Sequence, residues 1–298
     1  MKKQIYMVLT AIIIICLPNI AGLLTVNNNE EIENIKLDDN VPDWELGDSW
    51  TYNINRFQTN FYASGAFIGI DSYVDELNFD VIGYSETSYI SGISGVIKGT
   101  FQYETGEGIA LKGNLLFTKL SGNIYFRKND LAIEKAQIII KGIVLITVNP
   151  FQIPIPIPIP LTITVNINQT ISRPIIDFPL YDGKQGLINE TIISANINFE
   201  SIVLQILSFF FEDIPYGIYY KQTFNIPMLN YSTKTENISI GSETYNAYNI
   251  SFAWDLFGSI YYAPSVKNIV KTEAVIEVPD KFMVLCIFEL KDYTLPFG

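Results

Sequence analysis

The sequence predicts an all-β protein with one helix: a large curved antiparallel sheet, or partly open β-barrel, wrapped around a single buried apolar helix at about residues 200–212. Three observations predict it. From Trp44 onward, runs rich in Ile, Val, Tyr, Phe and Thr are broken by Gly, Asn-Pro or Ser-Gly about every eight to twelve residues, the pattern of antiparallel strands joined by tight turns. Hydrophobic residues make up 48% of 298 residues, enough apolar surface for one large core. One segment alone, NFESIVLQILSFFFEDIP, repeats its apolar residues at helical spacing.

The chain opens with a lysine pair, an apolar run from Ile5 to Leu17, Pro18, and the small residues Ala21 and Gly22. This is the layout of a secretory signal peptide, and residues 1–26 are read as that signal or, because Leu23, Leu24 and Val26 prolong the run, as a retained N-terminal anchor. The branched Ile13, Ile14 and Ile15 before Cys16 do not fit a lipoprotein signal, which wants small residues there. Outside this segment no stretch is apolar for the roughly 20 residues a spanning helix needs. The expected location is extracytoplasmic, secreted or held at the outer face of the cytoplasmic membrane.

Residues 27–43, NNNEEIENIKLDDNVPD, are polar and acidic and read as a solvated linker. The body, 44–298, is then one antiparallel β domain, with strands in SWTYNINRF, LNFDVIGYSE, GVIKGTFQYE, SGNIYFRKND, LAIEKAQIIIKGIVLITV and ETYNAYNISFAW. Asp43–Ile54 and Asp177–Ile192 each set a Leu and a Gly ahead of a short polar turn that opens a strand. They suggest two halves meeting near residue 173.

The stretch QIPIPIPIPLTITVNI carries the strongest local signal. Ile153, Ile155, Ile157, Ile159, Leu161, Ile163, Val165 and Ile167 are all apolar, while Pro154, Pro156, Pro158, Pro160, Thr162, Thr164 and Asn166 alternate with them. In an extended strand alternate side chains share a face, so the odd positions are expected to line the interior. The prolines lack N–H donors but share one parity, so they delete donors along one edge only and leave the other free to pair. The expected partner is KGIVLITV, Lys141–Val148, reached through a turn at Asn149-Pro150. A polyproline II spiral would scatter the isoleucines around its axis, and an apolar hairpin tip dipping into a membrane would have Phe151 at its end but no basic anchor, on a body that is acidic.

The predicted helix, Glu200–Glu212, places Ile202, Val203, Ile206, Leu207 and Phe210 on one face, with Pro215 as the stop. Leu204, Phe209 and Phe211 make the other side apolar too, so Ile202, Ile206 and Phe210 are expected inside the sheet's concavity.

The chain contains no histidine, which excludes imidazole-based triads, histidine-ligated zinc and histidine acid/base catalysis. No nucleophile elbow, phosphate loop or dinucleotide fingerprint occurs, so no cofactor is expected. Asp38, Asp39, Asn40, Asp43, Glu45 and Asp48 lack the glycine turn and terminal glutamate of a calcium loop, and no metal site is expected. The net charge of −12 becomes −14 once Lys2 and Lys3 leave with the signal, which disfavours nucleic acid as a partner. Cys286, within KFMVLCIFEL, reads as a buried small hydrophobe. Sequons stand at Asn168, Asn189, Asn230, Asn237 and Asn249.

In the tail, Gly241, Tyr245, Tyr248 and Ile250 precede Tyr261, Tyr262, Pro264, Val266, Ile269, Val270 and Lys271 across a turn. This pattern resembles the closing hairpins of a family of secreted prokaryotic β proteins of uncharacterised role, similar to the curved barrels of periplasmic lipoprotein carriers. The family usually has Ser-Pro and a glycine in that turn; here Ala263 precedes Pro264, and Lys267-Asn268 stand where glycine is expected. The resemblance implies a curved sheet around an apolar helix or ligand and carries no functional residue.

The expectation is therefore a non-enzymatic exported protein holding a lipid or other hydrophobic ligand inside a curved sheet. An anchored structural or adhesive surface module is the alternative. A secreted carbohydrate-active enzyme would need two carboxylates facing each other across a cleft.

Overall fold

The computed structural model describes residues 41–63, 66–105, 110–148, 155–169, 174, 176–188, 191–202, 205, 217–226, 229–252, 258–278 and 282–296. The strands are β1 (Ser49–Ala63), β2 (Ala66–Tyr84), β3 (Ser88–Thr105), β4 (Ala110–Arg127), β5 (Ile133–Val148), β6 (Ile155–Gln169), β7 (Gln185–Ile188), β8 (Thr191–Glu200), β9 (Gly217–Ile226), β10 (Leu229–Ile240), β11 (Glu243–Phe252), β12 (Ser259–Ala263), β13 (Asn268–Val278) and β14 (Phe282–Thr294). All fourteen belong to one antiparallel sheet in the order β7-β10-β11-β12-β13-β14-β1-β2-β3-β4-β5-β6-β8-β9. The all-β class and the single large antiparallel sheet are as expected.

The sheet is not closed by pairing, because β7 and β9 stand at its two ends and are not hydrogen-bonded neighbours. The chain nevertheless draws those ends together. Ile188 of β7 and Thr191 of β8 are three residues apart, a reach of at most about 11 Å, yet they lie at opposite ends of the strand order. The two ladders at this seam also share a register. Three steps back from Leu229 and three forward from Ile188, a β10–β7 pair, lead to the β8–β9 pair Thr191↔Ile226. The sheet thus curls around until its ends meet.

Alternation explains which face turned inward. Tyr89, Ser91, Ile93, Ile97 and Phe101 of β3 and Leu161, Ile163, Val165 and Ile167 of β6 are buried, as are Ala195, Ile197 and Phe199 of β8. The other face carries exposed ion pairs, Arg56–Asp71 at 3.4 Å, Lys98–Asp75 at 2.8 Å and Lys291–Glu76 at 2.6 Å. Apolar inside and charged outside is the reverse of a membrane-spanning barrel. Where β4 bulges between Leu116 and Lys119, β5 supplies Gly142, whose missing Cβ would lie 2.2 Å from the Leu116 carbonyl oxygen. Only glycine permits that approach, and the wall bends there.

The proline strand pairs as its parity requires. Val148↔Ile155, Ile146↔Ile157, Val144↔Ile159 and Gly142↔Leu161 run unbroken along β5 and β6. Since proline cannot donate, the ladder to β5 is carried by the isoleucine N–H groups, and the proline nitrogens lie on the far edge. Among the described residues that edge is unpaired until Thr162↔Glu200, two residues past Pro160 at the end of the run, whereafter β8 pairs to Gln169. Replacing Pro156, Pro158 and Pro160 together by threonine restores three donors to this edge, and the variant is expected to self-associate. Size-exclusion chromatography over a concentration series checks it; an unchanged elution position would show that the prolines do not guard the edge.

Two expectations are corrected. The expected helix does not begin at Glu200: that residue closes β8, paired with both Thr162 and Gly217, because the ladder begun by Ala195, Ile197 and Phe199 continues through it. Beyond Ser201 the described residues of this segment, Ile202 and Gln205, are helical, with Gln205 N–H bonded to the Ser201 carbonyl at 2.9 Å, but Ile202 is 62% exposed rather than interior. Ile206 and Phe210, with most of that segment, lie outside the described residues. The inward face of the proline strand also ends early. Leu161, Ile163 and Val165 are buried, Ile159 is half-buried and Ile157 is 42% exposed, because β8 stops opposite Thr162 and, among the described residues, no strand pairs with the outer edge of the first half of β6. Ile153 lies outside the described residues.

Candidate functional site

The two similar strand openings fold alike. In the first, Gly47, with φ of +95°, donates its N–H to the Val81 carbonyl at 3.0 Å, Asp48 N–H bonds the Glu45 carbonyl at 3.0 Å, and Val81 N–H returns to the Asp48 carbonyl at 2.8 Å. In the second, Gly183, φ +79°, donates to the Thr233 carbonyl at 2.9 Å, Lys184 N–H bonds the Tyr181 carbonyl at 3.3 Å, and Thr233 N–H returns to the Lys184 carbonyl at 2.8 Å. Positive φ is what demands glycine in both turns. The residues preceding them, Trp44 on one side and Ile176 and Phe178 on the other, are thereby laid across the same end of the curled sheet.

They enclose an apolar pocket of about 70 Å³ lined chiefly by Trp44, Trp50, Tyr52, Phe126, Phe178 and Phe288. Its walls are fixed through the polar ends of the aromatic residues. Trp44 Nε1–H donates to the Lys267 carbonyl at 3.0 Å, Trp50 Nε1–H to the Val266 carbonyl at 2.9 Å and the Tyr52 hydroxyl to the Ile269 carbonyl at 2.9 Å. All three bonds converge on the turn after Pro264, so each ring is pinned by its edge and turns its apolar body to the pocket. Trp44 packs edge-on against Phe126 with centroids 5.1 Å apart, Tyr52 against Phe288 at 5.4 Å, and Phe178 against Tyr262 at 5.3 Å.

That turn explains the departure noted in the tail. Lys267 adopts φ of +59°, the left-handed conformation that glycine ordinarily supplies, and its N–H bonds the Pro264 carbonyl at 3.1 Å. Its side chain is used as well, Nζ donating to the Asp43 carbonyl at 3.2 Å.

Around the pocket the polar groups are structural. The Tyr89 hydroxyl donates to Asp43 Oδ1 at 2.6 Å and accepts from Trp44 N–H at 3.3 Å, and Asp48 Oδ2 accepts Glu45 N–H at 2.9 Å. Two carboxylates of the acidic cluster are thus engaged with hydroxyl and backbone donors. Asp38, Asp39 and Asn40 lie outside the described residues. Beneath the second opening, Lys184 is buried with its Nζ 2.9 Å from Asp177 Oδ2, donating also to the Asp177 and Pro179 carbonyls; the Tyr231 hydroxyl donates to the same carboxylate.

Burial raises the Tyr52 hydroxyl above the ordinary tyrosine range, and burial followed by a neighbouring carboxylate does the same for Tyr89 beside Asp43 and Tyr231 beside Asp177. In the unfolded chain these tyrosines ionise near pH 10, whereas the folded chain holds their protons to higher pH. Their contribution is complete below about pH 10 and is lost above it, at a slope of about 1.4 kcal/mol per pH unit per tyrosine. Cooperative alkaline unfolding is therefore expected, with a late step in tyrosine ionisation coincident with loss of the β-sheet circular dichroism signal. Non-cooperative titration of all tyrosines with the sheet intact would contradict it.

The remaining candidates distribute as follows. Cys286 is buried, its thiol pushed up to about 12, which makes it an inert packing group. Asn168, Asn230 and Asn237 are exposed on strands, Asn249 is half-buried with its amide donating to Glu236 Oε1 at 2.8 Å, and Asn189 lies outside the described residues. Of the expected interior residues, none from the proline strand lines the aromatic pocket. The pocket residues were missed because they come from both strand openings and from the tail. The signal available was the Trp44 and Trp50 pair flanking Gly47, with Phe178 at the matching place in the second opening. Comparison with protein-family models, with curated proteins and with solved structures returns no match to this chain.

Proposed function

We propose that the chain is a non-enzymatic exported protein that holds a hydrophobic ligand within its curled sheet, with the aromatic pocket as the seat of the ligand's apolar end. The pocket carries the proposal: among the described residues its lining includes no carboxylate, amine, guanidinium or thiol, only rings, aliphatic side chains, Ser91 and Asn268. Such a surface favours an apolar guest through desolvation, and the Tyr52 hydroxyl already donates to the Ile269 carbonyl. At about 70 Å³ it suits a single ring or a short alkyl segment, well below the roughly 300 Å³ at which pockets for whole small molecules begin. The guest is therefore a small apolar molecule or the terminus of a longer lipid. The signal-like residues 1–26 and the tail's resemblance to curved carrier barrels support the same placement and role.

The test combines native mass spectrometry and solvent extraction of the purified chain with thermal unfolding in the presence of toluene and short linear alcohols. Co-purifying apolar material, or a rise in melting temperature that Ile176→Phe abolishes by filling the pocket, is expected. No extractable apolar compound together with no stabilisation by any of these probes would sink the proposal.

A further inference from the structure

Strands β4, β5 and β6 form a wall whose outer face differs from the rest of the protein. Their sequences carry Lys112, Lys119, Arg127, Lys135 and Lys141 against a single acid, Glu134, in a chain whose net charge is −12. Glu134 is itself engaged, accepting the Ser88 hydroxyl at 2.6 Å. On the same outer face the register sets apolar side chains in rows: Leu116↔Ile143↔Pro160, then Leu145↔Pro158. Leu116, Ile143 and Pro160 are exposed, as is Ile139 two residues below Lys141. Lys112 heads the first row's strand above, and the next row below is Lys119↔Lys141↔Thr162. Lys119 and Lys141 are exposed and directly opposed, a cross-strand pairing of like charges that costs energy unless an anion lies over it. Neither has an ion-pair partner among the described residues. The nearest carboxylate across the register is Glu200 of β8, opposite Thr162.

At the upper end of this wall the apolar surface is two-sided. Ile157 points to the inner face and is exposed, while Pro156 and Pro158 are exposed on the outer face. A protein partner covers one side of a sheet; an apolar strand segment exposed on both sides at Pro156–Pro158, with lysines on the neighbouring strands, matches a lipid surface, where side chains enter the acyl boundary and ammonium groups meet the phosphates. We propose that the outer face of β4–β6 is a docking surface for an anionic lipid membrane, with Leu116, Ile143 and Pro158 inserting, Ile157 following from the inner side of the same strand, and Lys112, Lys119 and Lys141 contacting the head groups. The prolines fit this arrangement, since they keep the projecting edge of β6 from being consumed by strand pairing.

The full chain is centrifuged with vesicles of phosphatidylcholine alone and of phosphatidylcholine mixed with phosphatidylglycerol, so that residues 1–26 contribute equally to every sample. Binding is expected to be stronger on the anionic vesicles and to weaken with salt. The double variant Lys119→Glu/Lys141→Glu is expected to lose the anionic preference, with partitioning down on the order of tenfold or more. The gentler Lys119→Gln/Lys141→Gln should lose it in part. Lys221→Glu/Lys234→Glu makes the same change of charge on β9 and β10 and should leave it intact. Equal binding to both vesicle types, equal losses in both reversed pairs, or self-association that only the Lys119/Lys141 reversal abolishes would each overturn the proposal, the last in favour of a contact between copies.

Discussion

Removal of the Asp177 carboxylate, as Asp177→Ala, is expected to lower the unfolding free energy by about 3 kcal/mol. The Lys184 and Asp177 side chains are only 10% and 21% exposed, and their ion pair holds the second strand opening against β10. Without the carboxylate a buried ammonium is left with backbone carbonyls alone, and Tyr231 loses its acceptor. Lys184→Met should cost less, because methionine fills a similar volume and the stranded carboxylate is the more exposed partner and keeps the Tyr231 hydroxyl. Asp177→Leu combined with Lys184→Met should recover part of the loss, since an apolar pair of similar volume has no charge to desolvate. Urea denaturation of the three variants measures this; a double variant no better than Asp177→Ala would show that shape rather than charge pairing holds the opening in place.

Trp50→Ala is expected to cost about 4 kcal/mol. Trp50 is among the largest fully buried side chains, packs on Trp44 with centroids 5.1 Å apart, and donates to the Val266 carbonyl. Its loss opens a cavity and leaves a buried acceptor without its partner. Trp50→Phe keeps most of the apolar volume but not the donor, and should cost about 1–2 kcal/mol. The same pair reports on the pocket. Trp50→Ala widens it and should admit larger guests in the thermal-shift assay, whereas Trp50→Phe should not. Two variants of equal stability would mean that the wall relaxes into the vacated space, and the pocket would then not be a fixed feature of the fold.

Much of the fold was legible because β structure writes its faces with a period of two residues. The inward set Leu161, Ile163, Val165 and Ile167, the pairing of Lys141–Val148 with the proline strand, and the silenced edge all follow from parity within a short stretch. The helical spacing at 200–212 misled at its start. Glu200 ends β8, where cross-strand pairing with Thr162 and Gly217 overrides the helical pattern, and the helical conformation appears only beyond Ser201. Ile157 misled for a different reason: alternation tells which face a side chain takes but not where the neighbouring wall ends.

The candidate site was legible only in fragments. Trp44 and Lys267 are joined by a hydrogen bond across 223 residues of sequence, and no local spacing anticipates that. The basic wall hid for the same reason. The proline stretch has no anchor of its own, and its lysines stand on β4 and β5, brought beside it by register. The sequence by itself determined the β class, the inward alternation and the edge on which the prolines fall, because each is a property of a few consecutive residues. Which rings meet at the pocket, where β8 stops, and which lysines border the apolar rows were decided by the tertiary structure. Those features depend on strand lengths, on the bulge between Leu116 and Lys119 and on the curl that brings the sheet's ends together, and these emerge only when every strand has found its partners.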